Sequence, residues 1–126
     1  MEHHKHTDSG NVRVVCRFRP LNAKEKELGV ETIQQICAEG TVKVKDPKVP
    51  EPLVITLDRI FDMGSTQESV YEASARPVVN SVLEGFNGTI FAYGQTSSGK
   101  TYTMQGYDIE QPGNKGIIPR MVLQSV

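Results

Sequence analysis

Gly94-Gln95-Thr96-Ser97-Ser98-Gly99-Lys100-Thr101 fits the pattern G-x-x-x-x-G-K-[S/T] at every fixed position. Each fixed residue has a physical reason. Gly94 and Gly99 let the backbone turn back, so that successive N–H groups face one point. With the amino-terminus of a following helix, those N–H groups form a nest for an anion. Lys100 brings a positive charge to the β- and γ-phosphates of a nucleotide, and the Thr101 hydroxyl is placed to ligate Mg²⁺. Gln95, Thr96, Ser97 and Ser98 supply the backbone between. A flexible Gly/Ser loop could share this composition, but the flanks favour a phosphate-binding loop. Thr89 to Tyr93 is a run of β-formers whose near-continuous apolarity predicts a strand covered on both faces, as in a parallel sheet. A helix is expected over Thr101 to Met104.

Upstream, the chain reads as alternating strands and helices. Asn11 to Phe18 predicts a strand, with Val12, Val14, Cys16 and Phe18 on one face and Arg13 and Arg17 on the other. Pro20 ends it. Leu21 to Gly29 is charged and predicts a short helix or a loop. Ile33 to Cys37 and Thr41 to Val44 predict small strands. Pro47, Pro50 and Pro52 make residues 46–52 a loop. Leu53 to Phe61 alternates as a strand of the same satellite sheet. Apolar residues then recur at helical spacing from Val70 to Leu83, behind Ser65 or Thr66 as a helix cap. The spacing predicts a helix over Thr66 to Glu84, kinked or broken at Pro77, with Gly85 closing it. Gln105 to Lys115 is a polar loop, after which an apolar pattern resumes at Gly116.

The 126 residues suit one domain, here 11–126 behind a disordered tail at 1–10. His3, His4 and His6 lie in that tail, where no neighbouring apolar residues would hold three imidazoles on a metal. The hydrophobic share of 37% is enough for a soluble core. A net charge of −1 gives no global field for nucleic acid, and no apolar run reaches the length of a membrane span. Cys16 and Cys37 lack C-x-x-C spacing, and no secretory leader precedes them, so a disulfide framework is not expected. Cys16 reads as a small buried hydrophobe.

Phe91 to Met104, FAYGQTSSGKTYTM, closely resembles the P-loop block of kinesin motor domains. Its wording is most like the conventional class, although neighbouring classes share it. Other blocks agree in order and spacing. Val14 to Asn22, VVCRFRPLN, resembles the first strand with its R-x-R-P element. Ser65 to Tyr71, STQESVY, resembles the entry to the first long helix, and Val82 to Thr89, VLEGFNGT, its end. Gly116 to Arg120, GIIPR, resembles the helix after loop 5. The resemblance implies an α/β P-loop NTPase fold of kinesin-motor type, with a central, mostly parallel or mixed sheet flanked by helices, of which the amino-terminal part is present. It implies an ATPase that hydrolyses MgATP to move along microtubules, with ATP or ADP and Mg²⁺ as ligands. It implies tubulin as the partner of the full motor domain, a cytoplasmic, cytoskeletal setting and a parent that can be dimeric. Arg17, Arg19 and Pro20 match the R-x-R-P element that borders adenine, and Tyr102 matches a position that stacks on the base.

Two elements of the family pattern are missing. Neither N-x-x-S-S-R-S-H nor D-x-x-G-x-E occurs in these 126 residues. Those segments position the attacking water and sense the γ-phosphate. No catalytic residue is therefore assigned, and the chain alone is expected not to hydrolyse nucleotide. A non-catalytic nucleotide-binding module and a different P-loop ATPase remain as alternatives. If the chain ends at Val126, the P-loop strand is expected to expose apolar faces and backbone edges, leaving a marginally stable product.

Overall fold

The computed structural model describes residues 12–126, so the histidine-bearing tail lies outside the described residues. The elements follow as β1 (Val15–Arg17), α1 (Ala23–Glu27), β2 (Gln34–Ala38), β3 (Thr41–Val44), β4 (Leu53–Thr56), β5 (Arg59–Phe61), α2 (Gln67–Val70), a π-helical segment (Tyr71–Ala75), α3 (Arg76–Leu83), α4 (Lys100–Met104), a 3-10 turn (Pro112–Asn114) and α5 (Ile117–Ser125). The chain divides into two compact units. One comprises Met1–Cys16 and Thr32–Ile60, of which the described part begins at residue 12. The other comprises Arg17–Glu31 and Phe61–Val126.

The first unit is built on an antiparallel meander in the order β2-β3-β4. Val42 stands opposite Ile36 and Ile55 and is 2% exposed. Gly40 makes the β2–β3 turn at φ 78°, a left-handed conformation that side chains other than glycine's resist. The strand expected over 53–61 is divided. Leu57 N donates to Gly40 O at 2.7 Å, keeping β4 on the meander, whereas Asp58 N donates to Val14 O at 3.0 Å. The Asp58 carboxylate also accepts from Val14 N at 2.7 Å. The chain thus changes partner at Asp58, and β5 pairs with β1 instead of the satellite sheet. β1 is shorter than expected: it begins at Val15, and Val12 and Val14 ahead of it are exposed. Cys16 is half-buried rather than fully enclosed, and burial pushes its thiol pKa up.

The second unit is organised by its longest helical run. Thr66 Oγ1 accepts from Ser69 N at 3.0 Å, and Ser69 Oγ accepts from Thr66 N at 3.1 Å. This reciprocal cap starts α2. The helix neither breaks nor stops at Pro77. Instead the turn ahead of it widens, and Arg76 N reaches back five residues to Tyr71 O. Proline has no N–H to offer, so one residue is absorbed in the π segment and Pro77 enters the first turn of α3, where it is tolerated. Tyr71, Ala75 and Ile117 form the buried centre, with Ile90, Met104 and Met121 packed against them. The Tyr71 hydroxyl donates to Gln124 Oε1, and Gln124 Nε2 donates to Asn80 Oδ1 at 2.7 Å, joining α5 to the long helix. Gly85 closes α3 at φ 101°.

Residues 89–93, expected as a covered strand, pair with no described strand. Phe91 is 78% and Tyr93 97% exposed. A strand is defined by its neighbours' hydrogen bonds, and none of the described strands supplies them here.

Candidate functional site

The Gly94–Thr101 loop lies in the second unit, follows residues 89–93 and runs into the start of α4. Ser98 N donates to Gln95 O at 3.1 Å, which closes a tight turn. Ser97 sits at φ 69° and Gly99 at φ 102°, so the backbone is left-handed on both sides of Ser98. Gly99 O then accepts from Thr103 N at 3.0 Å and launches α4. Gly94 has no room for a side chain. A Cβ there would lie 2.5 Å from Ser98 Oγ and 3.2 Å from Ser98 Cβ. The Lys100 amine folds over the loop and donates to Gly94 O. The Ser98 hydroxyl is buried and has no hydrogen-bond partner. Gln95, Thr96, Ser97 and Thr101 are exposed beside it.

A cleft of about 320 Å³ opens next to this loop, and Arg17, Arg19, Pro20, Ser65, Gly99 and Tyr102 are among its walls. The structure therefore brings together the R-x-R-P residues and Tyr102, which are far apart in sequence. Arg17 donates through Nη1 to Gln67 Oε1 at 2.7 Å and to Thr103 Oγ1 at 3.0 Å, and through Nη2 to Ser65 O at 3.3 Å. Its guanidinium lies 5.3 Å from the centre of the Tyr102 ring, within cation–π range. Partial burial lowers the Arg17 pKa from its ordinary value, although an arginine stays charged at any pH of interest.

Arg19 has a different task. Its Nε donates to Ser97 O at 2.8 Å, while its other nitrogens grip Glu25 at 2.6 and 2.7 Å. Glu25 Oε2 also accepts from Asn22 N at 3.0 Å, and Asn22 Oδ1 accepts from Glu25 N at 2.8 Å. Arg19 thus ties the Gly94–Thr101 loop to the capped start of α1. Its hydrogen bonds hold the Glu25 carboxyl at a pKa of about 2, helped by the Asn22 amide, against 4.5 for the free group. A depressed carboxylate pKa stabilises the fold above the unfolded-state value and loses that contribution as pH falls through the folded-state value. The Arg19–Glu25 link should therefore hold above pH 4.5 and dissolve as pH approaches about 2. A carboxyl ¹³C titration of Glu25 checks this, and a midpoint above 4 would contradict the bridge. Both side chains are partly exposed, so salt should weaken the link.

Gln67, Ser65, Thr103 and Glu25 were not legible as site residues. Gln67 alone carried a signal. It precedes Val70 and Tyr71 by three and four positions, which puts a polar residue on the buried stripe of the helix.

Residues 17–125 match the model of the family described as Kinesin motor domain. The chain is 47% identical over 112 residues to the Kinesin-1 heavy chain of Homo sapiens, covering 89% of this chain and 11% of that one. It is 40% identical over 116 residues to the Kinesin heavy chain of Botryotinia fuckeliana, covering 92% of this chain and 13% of that one. A solved structure of a fast kinesin, described in terms of its ATPase mechanism and interactions with microtubules, superposes with a TM-score of 0.83 at 42% identity. The match covers 90% of this chain and 31% of that one, so the chain spans a small part of each relative. No helix among the described residues is long and apolar enough to cross a membrane. With an α/β kinesin-motor fold, a matching family model over most of its length and relatives at 40% and 47% identity, the chain belongs to the kinesin motor domain family.

Proposed function

We propose that residues 94–101 hold the phosphates of MgATP or MgADP, that the adjoining cleft takes the adenine, and that the chain is the nucleotide-binding part of a motor domain that hydrolyses MgATP to move along microtubules. One observation carries this. Gly99 and Tyr102 line both the open face of the phosphate-binding loop and the neighbouring cleft, so a base and its phosphates have a continuous seat. The loop fits such a ligand on its own geometry. Gly94 lets the Ser98 side chain close against the backbone, where a Cβ would lie 2.5 Å from Ser98 Oγ, and the Ser98 and Ser65 hydroxyls are buried without partners at the cleft wall. The backbone N–H groups and the Lys100 amine would bind phosphate oxygens, and Arg17 would keep the Tyr102 ring oriented for stacking. Mg²⁺, when bound, neutralises charge on the β- and γ-oxygens, and the Thr101 hydroxyl would hold it.

Because 1–126 contains neither the serine-rich N-x-x-S-S-R-S-H pattern nor D-x-x-G-x-E, a second reading applies to the chain by itself, which is nucleotide binding without turnover. Titration calorimetry with MgADP tests the shared core of both. Saturable binding at one nucleotide per chain is expected, and absence of binding would overturn the assignment. Thr101→Ala should erase most of the affinity difference between titrations with and without Mg²⁺. An undiminished Mg²⁺ effect would remove Thr101 from the metal's ligands.

A further inference from the structure

Gln67 is 3% exposed, and it is the buried polar side chain of the described core. Its whole amide is committed. Oε1 accepts from Arg17 Nη1 at 2.7 Å, and Nε2 donates to Tyr102 O at 2.7 Å and to Asn114 O at 3.3 Å. Arg17 can only donate and the two carbonyls can only accept, so the network fixes which way the amide points. The bond to Tyr102 has a local cause. α4 has five residues, and the Tyr102 carbonyl falls in its closing turn, where the helix offers no donor of its own. The reciprocal Thr66–Ser69 cap fixes the backbone from which Gln67 reaches.

Three separate segments thus meet at one side chain, namely the end of β1, the helix after the phosphate-binding loop, and the 105–115 loop. Gln67 does not itself line the cleft. Its effect on a ligand passes through Arg17 and Tyr102, which do. All three acceptors holding Arg17, namely Gln67 Oε1, Thr103 Oγ1 and Ser65 O, are neutral. The guanidinium is therefore held in place beside the ring without its charge being cancelled by a carboxylate.

We propose that Gln67 is the positioning residue of the base cleft, locking Arg17 against Tyr102 and tying both to the 105–115 loop so that an adenine-bearing ligand meets a preformed wall. The proposal rests on the nucleotide-binding reading above. It separates the two parts of the ligand, because pyrophosphate uses the phosphate cradle and never enters the cleft.

Calorimetry of the full chain with MgADP and with Mg-pyrophosphate tests it, comparing the parent with Gln67→Met and Gln67→Glu. Gln67→Met keeps the volume and loses every hydrogen bond. It should weaken MgADP about tenfold while leaving pyrophosphate within about twofold. Gln67→Glu retains acceptors for Arg17 but sets a carboxylate against two carbonyls. It should show the same split, and it serves alone if Gln67→Met does not fold. Unchanged MgADP affinity would overturn the proposal while leaving the nucleotide site standing. Equal losses for both ligands, with a lower melting midpoint, would also overturn it by reducing Gln67 to a structural residue. A parent chain that binds pyrophosphate but not MgADP would refute the cleft assignment and the proposal together. A parent that binds neither would refute nucleotide binding itself.

Discussion

Lys100→Ala should bind MgADP about a hundredfold more weakly than the parent, a loss of about 3 kcal/mol. Lys100 is the cation among the side chains that line the open face of the loop, where its neighbours are Thr96, Ser97, Gly99, Thr101 and Tyr102. The arginines nearby cannot replace it. Arg19 is gripped by Glu25 and Ser97 O, and Arg17 is anchored to Gln67, Thr103 and Ser65. The Lys100 amine donates to Gly94 O, and binding a phosphate would exchange that oxygen acceptor for a more negative one. The alanine variant loses one partly buried hydrogen bond at the loop, and its melting midpoint should stay near the parent's. Calorimetry paired with a thermal melt checks both expectations. Parent-like MgADP affinity in Lys100→Ala would sink the assignment of this loop.

Gly106→Ala should cost about 3 kcal/mol of stability, lowering the melting midpoint by roughly 10 °C. Two effects add. Gly106 sits at φ 92°, where any L side chain is strained. An added Cβ would also drive into Asn114 O and lie 2.7 Å from Gly116 N, and both are backbone atoms that cannot rotate away. Gly116 is pinned from the other side, since its own Cβ would sit 2.7 Å from Thr103 O. The pair lets the 105–115 loop close directly onto α4, with a bridge between Gly106 and Lys115. Because Asn114 O also accepts from Gln67, the damage should reach the cleft. Circular-dichroism melting checks the prediction, and a shift under a few degrees would contradict it.

What could be read from sequence followed from how local each signal is. The Gly94–Thr101 loop is eight contiguous residues whose spacing encodes its own geometry, and the left-handed Gly99 and crowded Gly94 show why those two positions are glycine. The juxtaposition of Arg17 and Tyr102, 85 positions apart, was accessible through family resemblance and not through periodicity. Gln67 joins partners 35 to 50 positions away, which no local pattern reports. The 53–61 segment alternates throughout, but alternation specifies a face and not a neighbour, so the change of partner at Asp58 was invisible. For Tyr93 and Phe91, strand-forming composition was plain, yet pairing depends on a second strand.

Pro77 announced a disturbance without saying how the helix would absorb it. The π segment at Tyr71–Ala75 takes in one residue more than regular winding would, and one residue of an α-helix subtends about 100°. It therefore sets the angular phase between the front of the helix, which carries Gln67, and the back, which carries Val79. Deleting a single residue there would restore regular winding and swing one half about 100° relative to the other. The segment's length, more than its composition, decides whether the same helix can direct Gln67 toward Arg17 at one end and pack against α5 at the other.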